Sequence, residues 1–251
     1  MAAQVGAVAT MILLWQAAVA WWGLVDRSTL PTVPSTAAAL LDEVRTPELW
    51  RNLGHTLSAW VAGVAIATVL AVPTGLAAGR LRWLGRVVNL PVDFLRTVPP
   101  VTLIPLLILT VGPSWRLSVA LSSFAAFWII LVQTIHGAQS TPATVLDTAK
   151  TYRLTLMDRL WYVFLGASAP SIVTGLRLGA VVGLLVTLSS EVIAGSPGLG
   201  KQVMLAQISG DTPVMYATII VVGLLGLGVN TGLARAERSL LSWHPAQQAR
   251  P

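Results

Sequence analysis

Cysteine is absent from the 251 residues. That alone excludes disulfides, zinc–thiolate sites and a cysteine nucleophile. Charge is nearly as scarce: Asp, Glu, Lys and Arg make up 10% of the chain, against about 25% in a soluble domain. The three histidines, His55, His136 and His244, stand apart from one another and from carboxylates along the sequence. They are expected to be packing or interface residues rather than ligands. No G-x-x-x-x-G-K-[ST] phosphate loop occurs, and Gly198-Leu199-Gly200-Lys201 lacks the first glycine of that spacing. No G-x-S-x-G nucleophile elbow is present either. The chain is therefore not expected to bind ATP, a metal or another cofactor itself, nor to be an enzyme.

What remains is apolar. The composition is 55% hydrophobic with a mean hydropathy of +0.74, which places most of the chain in lipid. Ten tryptophans, several near the ends of apolar runs, suit the interface between hydrocarbon and headgroups. The net charge of +6 is read as loops facing anionic lipid rather than as a nucleic-acid surface. A bilayer core needs about 20 apolar residues per helix, and six segments are candidates: 5–25, 56–79, 98–111, 117–135, 172–194 and 214–234. The expected fold class is thus all-α, one polytopic membrane domain over residues 1–251. The first apolar run lacks a basic leader and a small-residue cleavage site, so it is read as an uncleaved span. The third is short and broken by Pro99, Pro100 and Pro105, the kind of interruption that either kinks a helix or lines a cavity. A surface helix capped by Ser35 is expected over 35–44. Residues 195–213 are expected to connect the last two spans outside the membrane, and 235–251 to form a basic tail.

Lys and Arg set the orientation. Threading six spans puts eleven of the sixteen, among them Arg80, Arg82, Arg86, Lys150 and Arg235, on one side, and Arg27, Arg45, Arg51, Arg116 and Lys201 on the other. The richer side should be cytoplasmic, with both termini and the long 138–168 loop facing it. Small residues recur at four-residue spacing in Gly75/Gly79, Gly175/Gly179/Gly183 and Gly228/Gly232, a spacing that lets helices approach closely in lipid.

The 141–179 stretch is polar-rich and helical in pattern rather than loop-like. Thr141-Pro142 is a helix start. Thr155 offers a second cap with Asp158 three residues on, the acidic form of a capping box. Leu156, Leu160 and Phe164 then make one apolar stripe. Two short helices at an angle, held between two spans, suit docking another protein.

Asp147-Thr148-Ala149, then Ala169-Pro170 and Thr174-Gly175-Leu176-Arg177, followed by Ser190-Glu191 and Gly198-Leu199-Gly200, resemble the loop and downstream motifs of ABC-importer permeases. Phe94-Leu95-Arg96-Thr97-Val98-Pro99-Pro100 with Leu103-Ile104-Pro105 resembles the branch that imports nitrate, sulfonates, taurine, bicarbonate or pyrimidine precursors. The resemblance covers about residues 50–235. It implies a second permease subunit, identical or different, and two cytoplasmic ATP-binding cassette subunits that carry the ATP and Mg. It also implies an extracytoplasmic solute-binding protein and a bacterial inner membrane. Asp147, Ala149, Tyr152, Arg153, Leu154 and Thr155 are the ATPase-facing set it implies. Arg153 stands where the family has glycine, and Asp147 where it has glutamate.

Two charges fall in or beside the fifth span. Arg177 is expected to snorkel or to bind the 138–168 loop. Glu191 is expected to serve a gate or helix packing, since ionisable groups at membrane depth carry function by default. Gly175 and Gly179 are expected to pack in the same helix, and Thr102, Thr187 and Ser190 to line the pathway. A passive channel and an intramembrane enzyme are the rival classes. The second would need paired polar catalytic groups at membrane depth, and the sequence offers none.

Overall fold

A computed structural model describes residues 2–21, 23, 26, 28–140, 144–145, 151–152, 154–155, 158–159, 163 and 165–241. The described residues form helices and no strand, in keeping with an all-α membrane domain. Helix α1, Ala2–Gln16, runs into a π-helical turn, Ala17–Trp21. The short α2, Val33–Arg45, lies before α3, Pro47–Arg80, and α4, Arg82–Leu95, follows it. A 3-10 turn, Pro100–Leu103, opens α5, Ile104–Val111. Then come α6, Trp115–Gln139, α7, Leu165–Ala194, α8, Leu199–Ser209, and α9, Thr212–Leu240.

Four stretches are long and apolar enough to cross a membrane: α3, α6, the α7–α8 stretch Leu165–Ser209, and α9. The bent pair of α4 and α5, turned by 83°, makes a fifth if it counts as one broken span. Six spans are not confirmed. The first candidate falls in α1 and the π-helical turn that continues it, Ala2–Gln16 and Ala17–Trp21, of which Ala9–Trp21 is a shorter apolar helix.

Helix boundaries depart from the hydropathy pattern where polar residues extend a helix beyond the apolar run. Helix α3 begins at Pro47, behind an N-cap Thr46 whose hydroxyl accepts from the Leu49 amide at 3.4 Å. Its first two turns carry Glu48, Arg51 and Asn52, and His55 follows in the third. Helix α2 is capped by Thr32, not Ser35. The Thr32 hydroxyl accepts from Ser35 N at 3.3 Å, and Pro34 sits in the first turn, where no N–H is needed. Residues 195–213, expected as a connection, hold α8.

The core is a three-helix sandwich of α3, α6 and α7, with α6 in the middle. Its interface is made of small residues. A Cβ on Gly75 would stand 2.7 Å from Thr134 Cβ, and one on Gly79 2.6 Å from Ala138 Cβ. On the other face of α6, a Cβ on Gly175 would meet Gln133 at 2.8 Å and one on Gly179 would meet Ile130 at 2.9 Å. Such contacts leave no room for a side chain, so the backbones approach as closely as small-residue packing in lipid allows. The Trp60 indole N–H donates to the Ala180 carbonyl at 2.7 Å, tying α3 directly to α7. Gly228 and Gly232 on α9 share the same spacing, yet a Cβ on either would meet nothing within 4 Å.

Candidate functional site

The two ends of α7 hold the polar machinery. Near its C-terminal end Glu191 is fully buried. Thr56 of α3 donates its hydroxyl to Glu191 Oε2 at 2.9 Å, and the Gly200 amide donates to the same oxygen at 2.9 Å. The Leu199 amide in turn donates to the Thr56 hydroxyl at 3.0 Å. The carboxyl group takes the Gly200 amide and the Thr56 hydroxyl takes the Leu199 amide, so two of the first amides of α8, which a helix start leaves without intrahelical acceptors, are fastened to α7 and α3. Oε1 has no hydrogen-bond partner among the described residues.

Glycines make this approach possible. Gly198 has φ +152, in the region open to glycine, and a Cβ there would lie inside the Glu191 carboxyl group. A Cβ on Gly200 would come within 2.6 Å of both Glu191 Cβ and the Leu188 carbonyl. The clamp continues outward: Asn52 donates to Gln202 Oε1 at 3.1 Å, and Gln202 donates to Glu43 Oε2 at 2.6 Å. Four helices, α2, α3, α7 and α8, are stitched together by side chains at this end.

Arg177 marks the other direction along α7, 14 residues and about 21 Å from Glu191 at the usual helical rise. Among the described residues its ion-pair partner is Glu237 of α9, at 2.7 Å, rather than a loop residue. Thr174 donates to the other Glu237 oxygen at 3.2 Å, and Arg177 also reaches Asn230 Oδ1 at 3.5 Å. Both residues of the Thr174-Gly175-Leu176-Arg177 motif that carry polar side chains therefore converge on one carboxylate.

The loop between α6 and α7 is described in part. Thr155 and Asp158 form the reciprocal cap expected of them. Asp158 N donates to the Thr155 hydroxyl at 3.2 Å, while the Thr155 hydroxyl and amide donate to Asp158 Oδ2 at 2.6 and 3.3 Å. Tyr152 is 77% exposed, Thr155 is exposed and Leu154 is half-buried. Asp147, Ala149 and Arg153 lie outside the described residues, as do Thr141, Pro142, Leu156, Leu160, Phe164 and the tail with His244.

Of the three residues expected to line the pathway, two are packed inside the chain. Thr187 and Ser190 are fully buried. The Thr187 hydroxyl donates to the Gly183 carbonyl at 2.9 Å, and the Ser190 hydroxyl bonds Ser118 of α6 at 2.8 Å. Thr102 is exposed at the broken third span, its hydroxyl turned back to the Pro99 carbonyl at 2.7 Å. No group of three His, Cys, Asp or Glu side chains able to hold a metal occurs among the described residues.

Helices long and apolar enough to cross a membrane, held together at one end by the Glu191 clamp, make this a polytopic membrane protein. Residues 63–241 match the family described as binding-protein-dependent transport system inner membrane component. The chain belongs to that family. A probable ABC transporter permease of Brucella melitensis is 30% identical over 81% of this chain and 81% of its own length. The taurine transport system permease TauC of Escherichia coli is 26% identical over 96% of this chain and 89% of its own. Permeases named for aliphatic sulfonates and for nitrate import match as well. In fold, the chain superposes on the permease of an inward-facing MetNI methionine ABC transporter with a TM-score of 0.68. That match is 17% identical and covers 77% of this chain and 98% of the other. The relatives are ABC transporter permease subunits rather than enzymes, and in such systems the ATPase is a separate subunit. This chain is an ABC importer permease of the taurine, sulfonate and nitrate group.

Proposed function

We propose that the chain works in a pair of permease subunits that carries a small oxoanion or sulfonate across the bacterial inner membrane, driven by two cytoplasmic ATPases. The 138–168 loop docks on an ATPase through Asp147, Ala149, Tyr152, Arg153, Leu154 and Thr155. An extracytoplasmic binding protein delivers solute to the side that holds the Glu191 clamp. The Lys and Arg asymmetry supports this orientation, with both termini and the loop cytoplasmic.

The observation that carries the coupling role is the Thr155–Asp158 cap beside an exposed Tyr152. A reciprocal cap of this kind holds a helix start against fraying, so force applied there reaches the spans on either side. Glu191 and Arg177 act as structural and gating groups. Glu191 joins α8 to α3, so any rocking of α7 moves the segment on the delivery side with it. Solute relatives named for taurine, aliphatic sulfonates and nitrate support an anionic or zwitterionic cargo.

The test is a mild-detergent pull-down of the tagged chain from native membranes with its partners identified by mass spectrometry. The reading expects an ATPase and a solute-binding protein, together with either this permease alone or a second, different one that makes the pair a heterodimer. Recovery of the chain without any ATPase contradicts it.

A further inference from the structure

Beside the break in the third span lies a cavity of about 380 Å³, between the Arg96–Pro100 segment and one face of α6, with Val182 of α7 at its back. Its polar lining is Arg96 and Gln133, with the ring of Trp128 beside them. Pockets of this size hold small ligands with a few placed polar groups. We propose that this cavity is an anion subsite of the translocation pathway, where Arg96 and Gln133 grip the oxoanion head of the cargo and Trp128 walls it. The proposal deepens the oxoanion reading above and rests on it.

Three observations support the assignment. Among the described residues the charged side chain lining the cavity is a cation, Arg96, which favours anions there. A planar guanidinium matches two oxygens of a sulfonate or nitrate at once. Arg96 meets Asp93 at 3.2 Å, but both side chains are more than half exposed. An exposed pair of this kind is weak and exchangeable, and Arg96 keeps further N–H groups for a ligand.

Gln133 is held by its stem. The Gly175 backbone packs against its Cβ, while no hydrogen bond to another described residue engages its amide. Trp128 is fixed edge-on by Phe124 and Phe127, with centroids 5.8 and 4.8 Å away. Its Nε1–H is buried, with no acceptor among the described residues, so Trp128 meets the cavity with its ring rather than with that donor. The irregular backbone of the break is the element that lines cavities in transporters. Gly175, which also belongs to the α6–α7 contact, thereby couples helix packing to the position of a cargo ligand.

The experiment reconstitutes the permease with its ATPase and binding protein in proteoliposomes and follows ATP-driven uptake of radiolabelled ethanesulfonate, taurine and nitrate. Arg96→Gln and Gln133→Leu should each lower maximal uptake about tenfold or more, while ATP hydrolysis stimulated by the binding protein continues. Arg96→Lys should recover part of the loss. Uptake by Arg96→Gln equal to wild type overturns the subsite. A wild-type complex that imports only uncharged solutes overturns the oxoanion reading and the subsite with it.

A second measurement works whatever the cargo proves to be, because the chain has no cysteine. Val98→Cys should react faster with a negatively charged methanethiosulfonate than with a positively charged one of similar size. Adding Arg96→Gln should erase that preference. Equal rates for both reagents in the Val98→Cys protein with Arg96 intact contradict an anion-selective cavity.

Discussion

The Glu191 and Arg177 halves of α7 solve the same problem, a charge in an apolar helix, in opposite ways. Glu191 is fully buried and its partners are a hydroxyl and a backbone amide from two other helices. Arg177 is 36% exposed and its partner is a carboxylate on a helix with little buried surface. Taking a charged group out of water costs several kcal/mol unless it is well bonded. The Glu191 arrangement is therefore a fixed structural commitment, with glycines shaped around it. The Arg177 pair is only partly buried, so it is the less tightly enclosed of the two. The lesson is that the clamp, not the ion pair, sets where α7 cannot move.

Gly198→Val breaks the firm end most severely. A branched side chain at φ +152, in the space of the Glu191 carboxyl, should cost about 3 kcal/mol or more. The purified protein should melt far below wild type in detergent; an unchanged melting temperature would mean that α8 is not pinned by Glu191. Charged replacements at Leu154 and Thr155 leave both ends of α7 intact and test the loop alone. Import should be abolished while membrane insertion and yield stay normal, as read by uptake assays and quantitative blotting. Normal ATP-dependent import in that variant sinks the coupling role.

Glu191→Ala strands Thr56 and the Gly200 amide without their acceptor, a loss of about 1–3 kcal/mol. Thermal melting should fall, and hydrogen exchange at Leu199 and Gly200 should quicken before the rest of the chain. Arg177→Ala is the mildest change. A partly exposed pair contributes about 1 kcal/mol or less, and a cycle with Glu237→Ala should return a coupling energy of that order. A larger penalty for Arg177→Ala than for Glu191→Ala would reverse the comparison.

Local features were legible in the sequence and long-range ones were not. Thr155 and Asp158 sit three residues apart, so their reciprocal cap follows from spacing alone. The side-chain partner of Glu191 is 135 residues away and that of Arg177 is 60; no local pattern names either. The signal for Thr56 was faint: Asn52 and Thr56 fall one turn apart, both facing the same end of α8. Glycine spacing gave the right contact at Gly175 and Gly179 and the same pattern without a contact at Gly228 and Gly232. Spacing describes one helix face, whereas packing needs two. Thr187 and Ser190 illustrate a further limit. A hydroxyl in an apolar helix can turn back to a carbonyl one turn away or face a pathway, and the residue type is the same in both cases.

The most direct test of the coupling account uses the natural absence of cysteine. Thr155→Cys should be the single thiol of the chain, placed at the capped turn of the loop. In inside-out vesicles holding the intact complex, a short bifunctional cross-linker from that thiol should join the permease to the ATPase. In right-side-out vesicles, a membrane-impermeant maleimide should leave the thiol unlabelled. Rapid labelling from the outside, or an ATPase that co-purifies yet never cross-links, would contradict a cytoplasmic loop that drives the pathway.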